Sequence, residues 1–174
     1  MNTISDLYRT LPPRKAHQER GIQQINKHRA ENKGKPVLAV APPGAGKSRM
    51  MLDLATDEMA KPGGRTLIKV HRKMLLEQLI NVFQAVGLPY GVIAADYEHV
   101  ADQPIILAST QTLFKRGVQL GRIDMPEISL MINDEAHQQN GKMERSIVYG
   151  SHQGGLVTEG YATQGVDVVG FTAS

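Results

Sequence analysis

Val37-Leu38-Ala39-Val40-Ala41-Pro42-Pro43-Gly44-Ala45-Gly46-Lys47-Ser48 joins a short apolar run to a loop of small residues, and Lys47 to Met59 then carries apolar positions at helical spacing. Strand, Gly-rich loop and helix in direct succession are the context that a phosphate-binding loop requires. Triphosphate oxygens need several backbone N–H donors converging on them. Gly44 and Gly46 supply the backbone freedom for this, and the following helix offers its positive N-terminal end. On this reading Pro43, Gly44, Ala45, Gly46, Lys47 and Ser48 bind ATP. Lys47 reaches the β and γ phosphates, and Ser48 places its hydroxyl on Mg2+, a hard cation that takes oxygen ligands. Ala41 stands where the motif usually has its first glycine. A Gly/Pro turn joining strand to helix is the plainer reading, and the Lys-Ser pair directly after the loop decides against it.

The same alternation continues outward from this stretch. Val37 to Ala41, Thr66 to Val70, Ile105 to Ala108, Ile128 to Ile132 and Val166 to Phe171 read as buried strands. Lys47 to Met59 presents Met50, Met51, Leu54 and Ala55 on one helical face, and Arg72 to Val86 does so with Leu75, Leu76, Leu79 and Phe83. Lys61-Pro62-Gly63-Gly64 and Gly87-Leu88-Pro89 supply the breaks. Strands alternating with helices of this length predict an α/β fold, a mostly parallel sheet with helices on both faces. Gly141 to Gly165 has no long periodicity and receives no assignment.

A second acidic signal lies downstream. The apolar run ending at Ile132 leads into Asn133-Asp134-Glu135-Ala136-His137, so two carboxylates emerge at the carboxyl end of a predicted strand, where open α/β sheets bind ligands. Asp134 is placed to hold the Mg2+ shell, and Glu135 to orient and deprotonate a water that attacks the γ phosphate. Alone, Asp-Glu before a histidine is more often a solvated loop or a helix cap. Downstream of a phosphate loop it is the second half of a nucleotide site. His137 is either a surface histidine or a relay from this site to the neighbouring motif.

Bulk properties narrow the classes. The 174 residues, 41% hydrophobic and 21% charged, suit one globular domain over residues 1–174. No cysteine is present, which removes disulfides, thiolate metal sites and cysteine nucleophiles. No run approaches the roughly 20 apolar residues of a membrane span, and the N-terminus lacks a signal-peptide core. The expectation is an intracellular, soluble protein without a membrane partner. A net charge of +3 is compatible with a polyanionic partner and decides nothing alone.

Ala41 to Ser48 and Asp134-Glu135-Ala136-His137, in this order, resemble superfamily 2 helicases and translocases, nearest to the branch that includes type III restriction motor subunits. The resemblance implies the first RecA-like domain of a nucleic-acid-dependent ATPase, with Lys47, Asp134, Glu135 and His137 as its catalytic set. Arg14-Lys15-Ala16-His17-Gln18 is similar to the segment whose glutamine reads adenine, which makes Gln18 the candidate; the alternative is an exposed helix residue. Lys69 to Gln78 and Ser109 to Leu113 look like the family's strand-contacting motifs, so Arg72, Lys73, Thr110 and Gln111 are candidates to grip a phosphodiester backbone without reading sequence. Gly170-Phe171-Thr172-Ala173-Ser174 resembles the motif in which Thr172 and Ser174 couple nucleotide state to strand grip. The family continues into a second RecA-like lobe, absent from these residues, that carries the arginine fingers.

Two functions therefore stay open: a motor ATPase acting on nucleic acid, DNA ranked ahead of RNA, with the second lobe in cis or in trans, and a nucleotide-binding or adaptor module without turnover of its own. A small-molecule kinase would use the same loop but must exclude the water that Glu135 is placed to activate. With 5% aromatic residues and no tryptophan, the chain offers little for base stacking, and backbone tracking is the expectation.

Overall fold

The computed structural model describes residues 11–134, 141–153 and 156–173. In chain order the elements are α1 (Ala16–Glu31), β1 (Val37–Val40), α2 (Lys47–Met59), β2 (Thr66–Val70), α3 (Lys73–Val86), β3 (Gly91–Ile93), β4 (Ile105–Ser109), α4 (Thr110–Thr112), β5 (Leu130–Asn133), α5 (Lys142–Tyr149), β6 (Gly150–Gln153), β7 (Leu156–Glu159) and β8 (Asp167–Thr172). The turn α4 widens into a π-helical segment, Leu113–Gln119. Six strands form one sheet in the order β1-β8-β5-β2-β4-β3, every pairing parallel. β6 and β7 form a separate antiparallel hairpin.

Parallel strands need a crossover, and the crossovers cover both faces of the sheet. Ile68, Val70, Ile132, Val169 and Phe171 pack against Ile22 and Ile25 of α1, Met50, Met51 and Leu54 of α2, and Leu76, Leu79 and Phe83 of α3. The alternate positions Leu67, Met131 and Val168 face the other way, onto Leu113, Val118, Ile147, Val148 and Tyr161. The expected strands and helices are all present, with ends shifted by one or two residues. β5 runs to Asn133 rather than ending at Ile132, and α3 begins at Lys73 with Arg72 as its N-cap. At the other end of α3, Gly87 N–H donates to Gln84 O at 3.1 Å and Leu88 N–H to Phe83 O at 3.2 Å, a Schellman closure that buries Leu88. The unassigned region is resolved into α5 and the β6–β7 hairpin. At the opposite limit of the sheet, β1 is an edge strand whose Leu38 and Val40 are 61% and 65% exposed.

One polar network ties the amino ends of the strands together. Arg29, in the last turn of α1, donates to Glu58 Oε2 at 2.8 Å and to Asp167 Oδ2 at 3.0 Å. Glu58 also receives Lys61 Nζ at 2.8 Å and Ser129 Oγ at 2.7 Å. The network thus joins α1, the end of α2, the approach to β5 and the start of β8. Burial pushes the Glu58 carboxyl up, but hydrogen bonds from Lys61, Arg29 and Ser129 outweigh it and hold the group below the ordinary glutamate value. A lowered folded-state value means that stability is present above the ordinary glutamate range and is lost as pH falls through the folded one. Glu58→Gln should therefore flatten the acid limb of a melting-temperature profile; an acid limb identical to that of the unaltered chain would show that the network contributes nothing.

Candidate functional site

Because β1, β8 and β5 are parallel neighbours, their carboxyl ends open on one edge of the sheet, and β8 separates the other two by roughly 10 Å centre to centre. The loop 41–46 leaves β1 at that edge. Ala41 N–H donates to Thr172 O at 2.8 Å, which pins the first loop residue to the end of β8. Ala45 N–H closes a turn onto Pro42 O at 3.1 Å, and Met50 N–H takes Gly46 O at 3.1 Å as α2 begins. Gly44 and Gly46 have φ of 77° and 82°, the left-handed region in which an L side chain is strained. Pro42, Pro43 and Gly44 are exposed, Lys47 is partly buried, and Ser48 is exposed in the first turn of α2. The loop therefore presents its residues to solvent at a helix N-terminus, an arrangement suited to an anion.

The first turn of α1 is bound to this loop, and the residues just before it are bound to α2. Gln18 is buried rather than exposed: its Oε1 accepts Lys15 N–H at 3.0 Å, and its Nε2 donates to Ala45 O at 3.2 Å. His17 Nε2 lies 2.9 Å from the same carbonyl oxygen. Arg14 Nε and Arg49 Nε both donate to the wholly buried Asp53, at 2.9 Å and 3.0 Å, and Arg49 Nη1 reaches Pro12 O at 2.7 Å. Arg49 and Asp53 stand i, i+4 on α2, whereas Arg14 reaches the same carboxylate from 39 positions away, a pairing with no local sequence signal.

Asp134 follows β5 directly, partly exposed, with its N–H on Lys69 O at 3.1 Å. Thr172, buried, ends β8 between the loop and Asp134. Glu135, His137 and Ser174 lie outside the described residues.

The four strand-contact candidates gather where β2 and β4 end. Arg72 is exposed at the N-cap of α3. Lys73 is exposed and paired with Asp96 at 2.5 Å; the shared hydrogen bond raises the lysine and lowers the aspartate from their ordinary values. Gln111 is exposed, donating to His71 O and accepting from Ser109 Oγ, both at 2.9 Å. Thr110 differs, being fully buried with its hydroxyl on Val70 O at 3.1 Å. That hydroxyl closes the β4-to-α4 junction onto β2 and faces the sheet. A cleft of about 270 Å3 opens beside these residues, walled by Leu76, Ala94 and Tyr97 with Lys73 and Asp96 among its polar lining.

Residues 12–173 match the family model described as the type III restriction enzyme, res subunit. The chain belongs to that family. Among solved structures it is similar to the UvsW helicase of bacteriophage T4, 19% identical with a TM-score of 0.70, over 99% of this chain and 60% of that one. The helicase domain of Pyrococcus furiosus Hef is 22% identical with a TM-score of 0.71, over 100% of this chain and 34% of that one. The SWI2/SNF2 ATPase core of Sulfolobus solfataricus is 15% identical with a TM-score of 0.70, over 94% of this chain and 32% of that one. These likenesses show the fold, the RecA-like parallel-sheet domain shared by these structures. A 51.5 kDa protein of a Lactococcus phage (isolate 7-9) is 43% identical over 53 residues, 30% of this chain and 12% of that protein. The chain thus spans a minor part of several of these relatives.

Gly46 is the position at which the loop geometry is most exacting. A Cβ there would require φ near 82° and would collide with the Gln18 amide. Gly46→Ala should lower unfolding free energy in denaturant titration by more than about 1–2 kcal/mol, the cost of a left-handed L residue, because the collision adds to it. Adding Gln18→Ala should recover only the collision and not the backbone cost.

Proposed function

We propose that the chain is the ATP-binding lobe of a nucleic-acid-dependent ATPase, a helicase or translocase that hydrolyses ATP to move along DNA or RNA, with DNA ranked first. The observation that carries this reading is the shared sheet edge: a solvent-facing loop with two left-handed glycines heads α2, Asp134 ends β5, and Thr172 lies between them. In this reading Lys47 neutralises the β and γ phosphates, and backbone N–H groups of Gly44 to Ser48 hold their oxygens. Gln18 meets the adenine edge with the capacity that its two protein hydrogen bonds leave over. Glu135 takes the proton of the attacking water, and His137 carries the signal toward the neighbouring motif.

The exposed hydroxyl of Ser48 and the carboxylate of Asp134 fit magnesium, which commonly takes one or two protein oxygens and completes its shell with phosphate and water. When bound, the ion draws charge from the phosphate oxygens and so eases displacement at phosphorus. Nucleic acid runs over Arg72, Lys73 and Gln111, with Thr110 setting the junction beneath them. Thr172 with Ser174 couples this grip to the nucleotide. A second RecA-like lobe, in cis or in trans, supplies the arginines that such hydrolysis needs. Support for DNA comes from neighbours of the same fold: the Sulfolobus core was solved with dsDNA and the restriction-modification enzyme LlaGI with a DNA substrate mimic.

Titration with a labelled ATP analogue, with and without Mg2+, tests the central claim. Lys47→Ala should weaken binding by about 2 kcal/mol, roughly thirtyfold, as expected for losing a hydrogen bond to a charged group. Unchanged affinity would put the nucleotide elsewhere.

The Lys73–Asp96 pair generates a separate expectation. Phosphate must compete with Asp96 for this ammonium, so Asp96→Asn should tighten single-stranded DNA binding. It should also steepen the salt dependence by about 0.7 in the log–log slope, the share of one further phosphate contact. Equal slopes in the two proteins would remove Lys73 from the interface.

A further inference from the structure

β2 carries a lysine in a strand otherwise covered on both faces. Lys69 is 1% exposed, in register with Ala108 of β4 on one side and Asn133 of β5 on the other. An unpartnered ammonium in such a place is costly, and burial pulls Lys69 below its ordinary value, opposed by Glu144. Glu144, on the third residue of α5 and itself 2% exposed, accepts the Lys69 ammonium on Oε2. Its other oxygen, Oε1, lies 2.9 Å from His71 Nε2, although the hydrogen-bond alignment there is incomplete and that nitrogen is otherwise unsatisfied. Asn133 is wholly buried, and neither its Oδ1 nor its Nδ2 has a hydrogen-bond partner among the described residues. Strand alternation puts Asn133 and Lys69 on one face, that of Met131 and Leu67, beneath α5.

These groups lie between the two proposed binding regions. Asn133 immediately precedes Asp134, whose N–H is held by Lys69 O. His71 immediately precedes Arg72 and Lys73, lines the cleft, and gives its carbonyl oxygen to Gln111. A buried amide with no partner costs the full desolvation of its donors and acceptor, and a carboxylate oxygen short of a well-aligned partner is similarly underused. Both deficits fall in one cluster, so a second arrangement, with Glu144 Oε1 turned from His71 to the Asn133 amide, would move the shortfall from one end of the cluster to the other. Two arrangements of comparable cost are the physical requirement for a coupling element.

We infer that Lys69, His71, Asn133 and Glu144 form a buried two-state relay that links the end of β5 to the nucleic-acid cleft, with Glu144 as its positioning residue. Nucleotide at the Asp134 end favours one hydrogen-bonding arrangement, and through Glu144 and His71 that arrangement sets the orientation of Arg72 and Lys73. No bond is made or broken, and none of the four touches the reacting atoms. The inference rests on the nucleotide and nucleic-acid reading above.

The test measures the affinity of a labelled ATP analogue for the chain with and without saturating single-stranded DNA, and takes the ratio of the two dissociation constants. Allosteric ratios are typically about 5- to 150-fold. Lys69→Met with Glu144→Met replaces the pair by apolar groups of similar length, a change that buried ion pairs often tolerate. Asn133→Leu removes the unsatisfied amide without touching the pair. Each variant should bind the analogue alone within twofold of the unaltered chain while the ratio falls to about one. A merely structural role would leave the ratio intact in any variant that folds, and an intact ratio in either variant overturns the inference. So does a ratio of one in the unaltered chain when both ligands bind. Failure of the unaltered chain to bind the analogue at all instead overturns the functional reading on which the relay depends.

Discussion

Everything at the site depends on parallel pairing. A parallel strand has to return over a face of the sheet before it can pair again, so each of β1, β8 and β5 delivers its carboxyl end to the same edge. That constraint brings a loop at residues 41–46 beside an aspartate at 134, far away in sequence, without any direct bond between them being needed. The backbone hydrogen bond from Ala41 to Thr172 is its local expression, since it holds the loop to the one strand that lies between the two halves. At the other edge of the sheet, the Arg29 and Glu58 network clamps the helices whose opposite ends must stay in place.

The molecule handles buried charge in two different ways. Around Asp53 and Glu58, each carboxylate has several donors, and the elements they join are rigidly related. Under α5 the satisfaction is incomplete: Lys69 and Glu144 find one another, while Asn133 finds nothing among the described residues. A fully satisfied network specifies one arrangement; a partly satisfied one leaves room for another.

The legible parts of the fold were those in which burial on both sides of a sheet forces continuous apolar runs. The strands of the large sheet except β3, and the helices α2 and α3, were readable for that reason. The helix α1 was not, because its buried face mixes Ile22 and Ile25 with Gln18 and Arg29, so no apolar stripe marks it. α5 is similar, with Glu144 and Ser146 buried beside Ile147 and Val148. Within the candidate site, what was legible was placement: the loop lies between β1 and α2, and Asp134 directly follows β5, because the apolar runs stop there. Burial was not legible: Thr110 looked like a hydroxyl offered to a ligand, and only the neighbouring β2 carbonyl shows where it points. Likewise Lys69 and Glu144 are 75 positions apart, so nothing local in either segment signals the other.

The open side of β1 has a consequence for how the chain behaves in bulk solution. An edge strand with two exposed large aliphatic side chains, and no ladder partner on its outer side among the described residues, is a template for adding further strands. Lys33, Lys35 and Pro36 stand immediately ahead of it, two exposed charges and an imino acid that cannot donate to a ladder. Those residues oppose further pairing at this edge by charge repulsion and by a missing donor, and rising ionic strength, which screens the charges, weakens the first of the two.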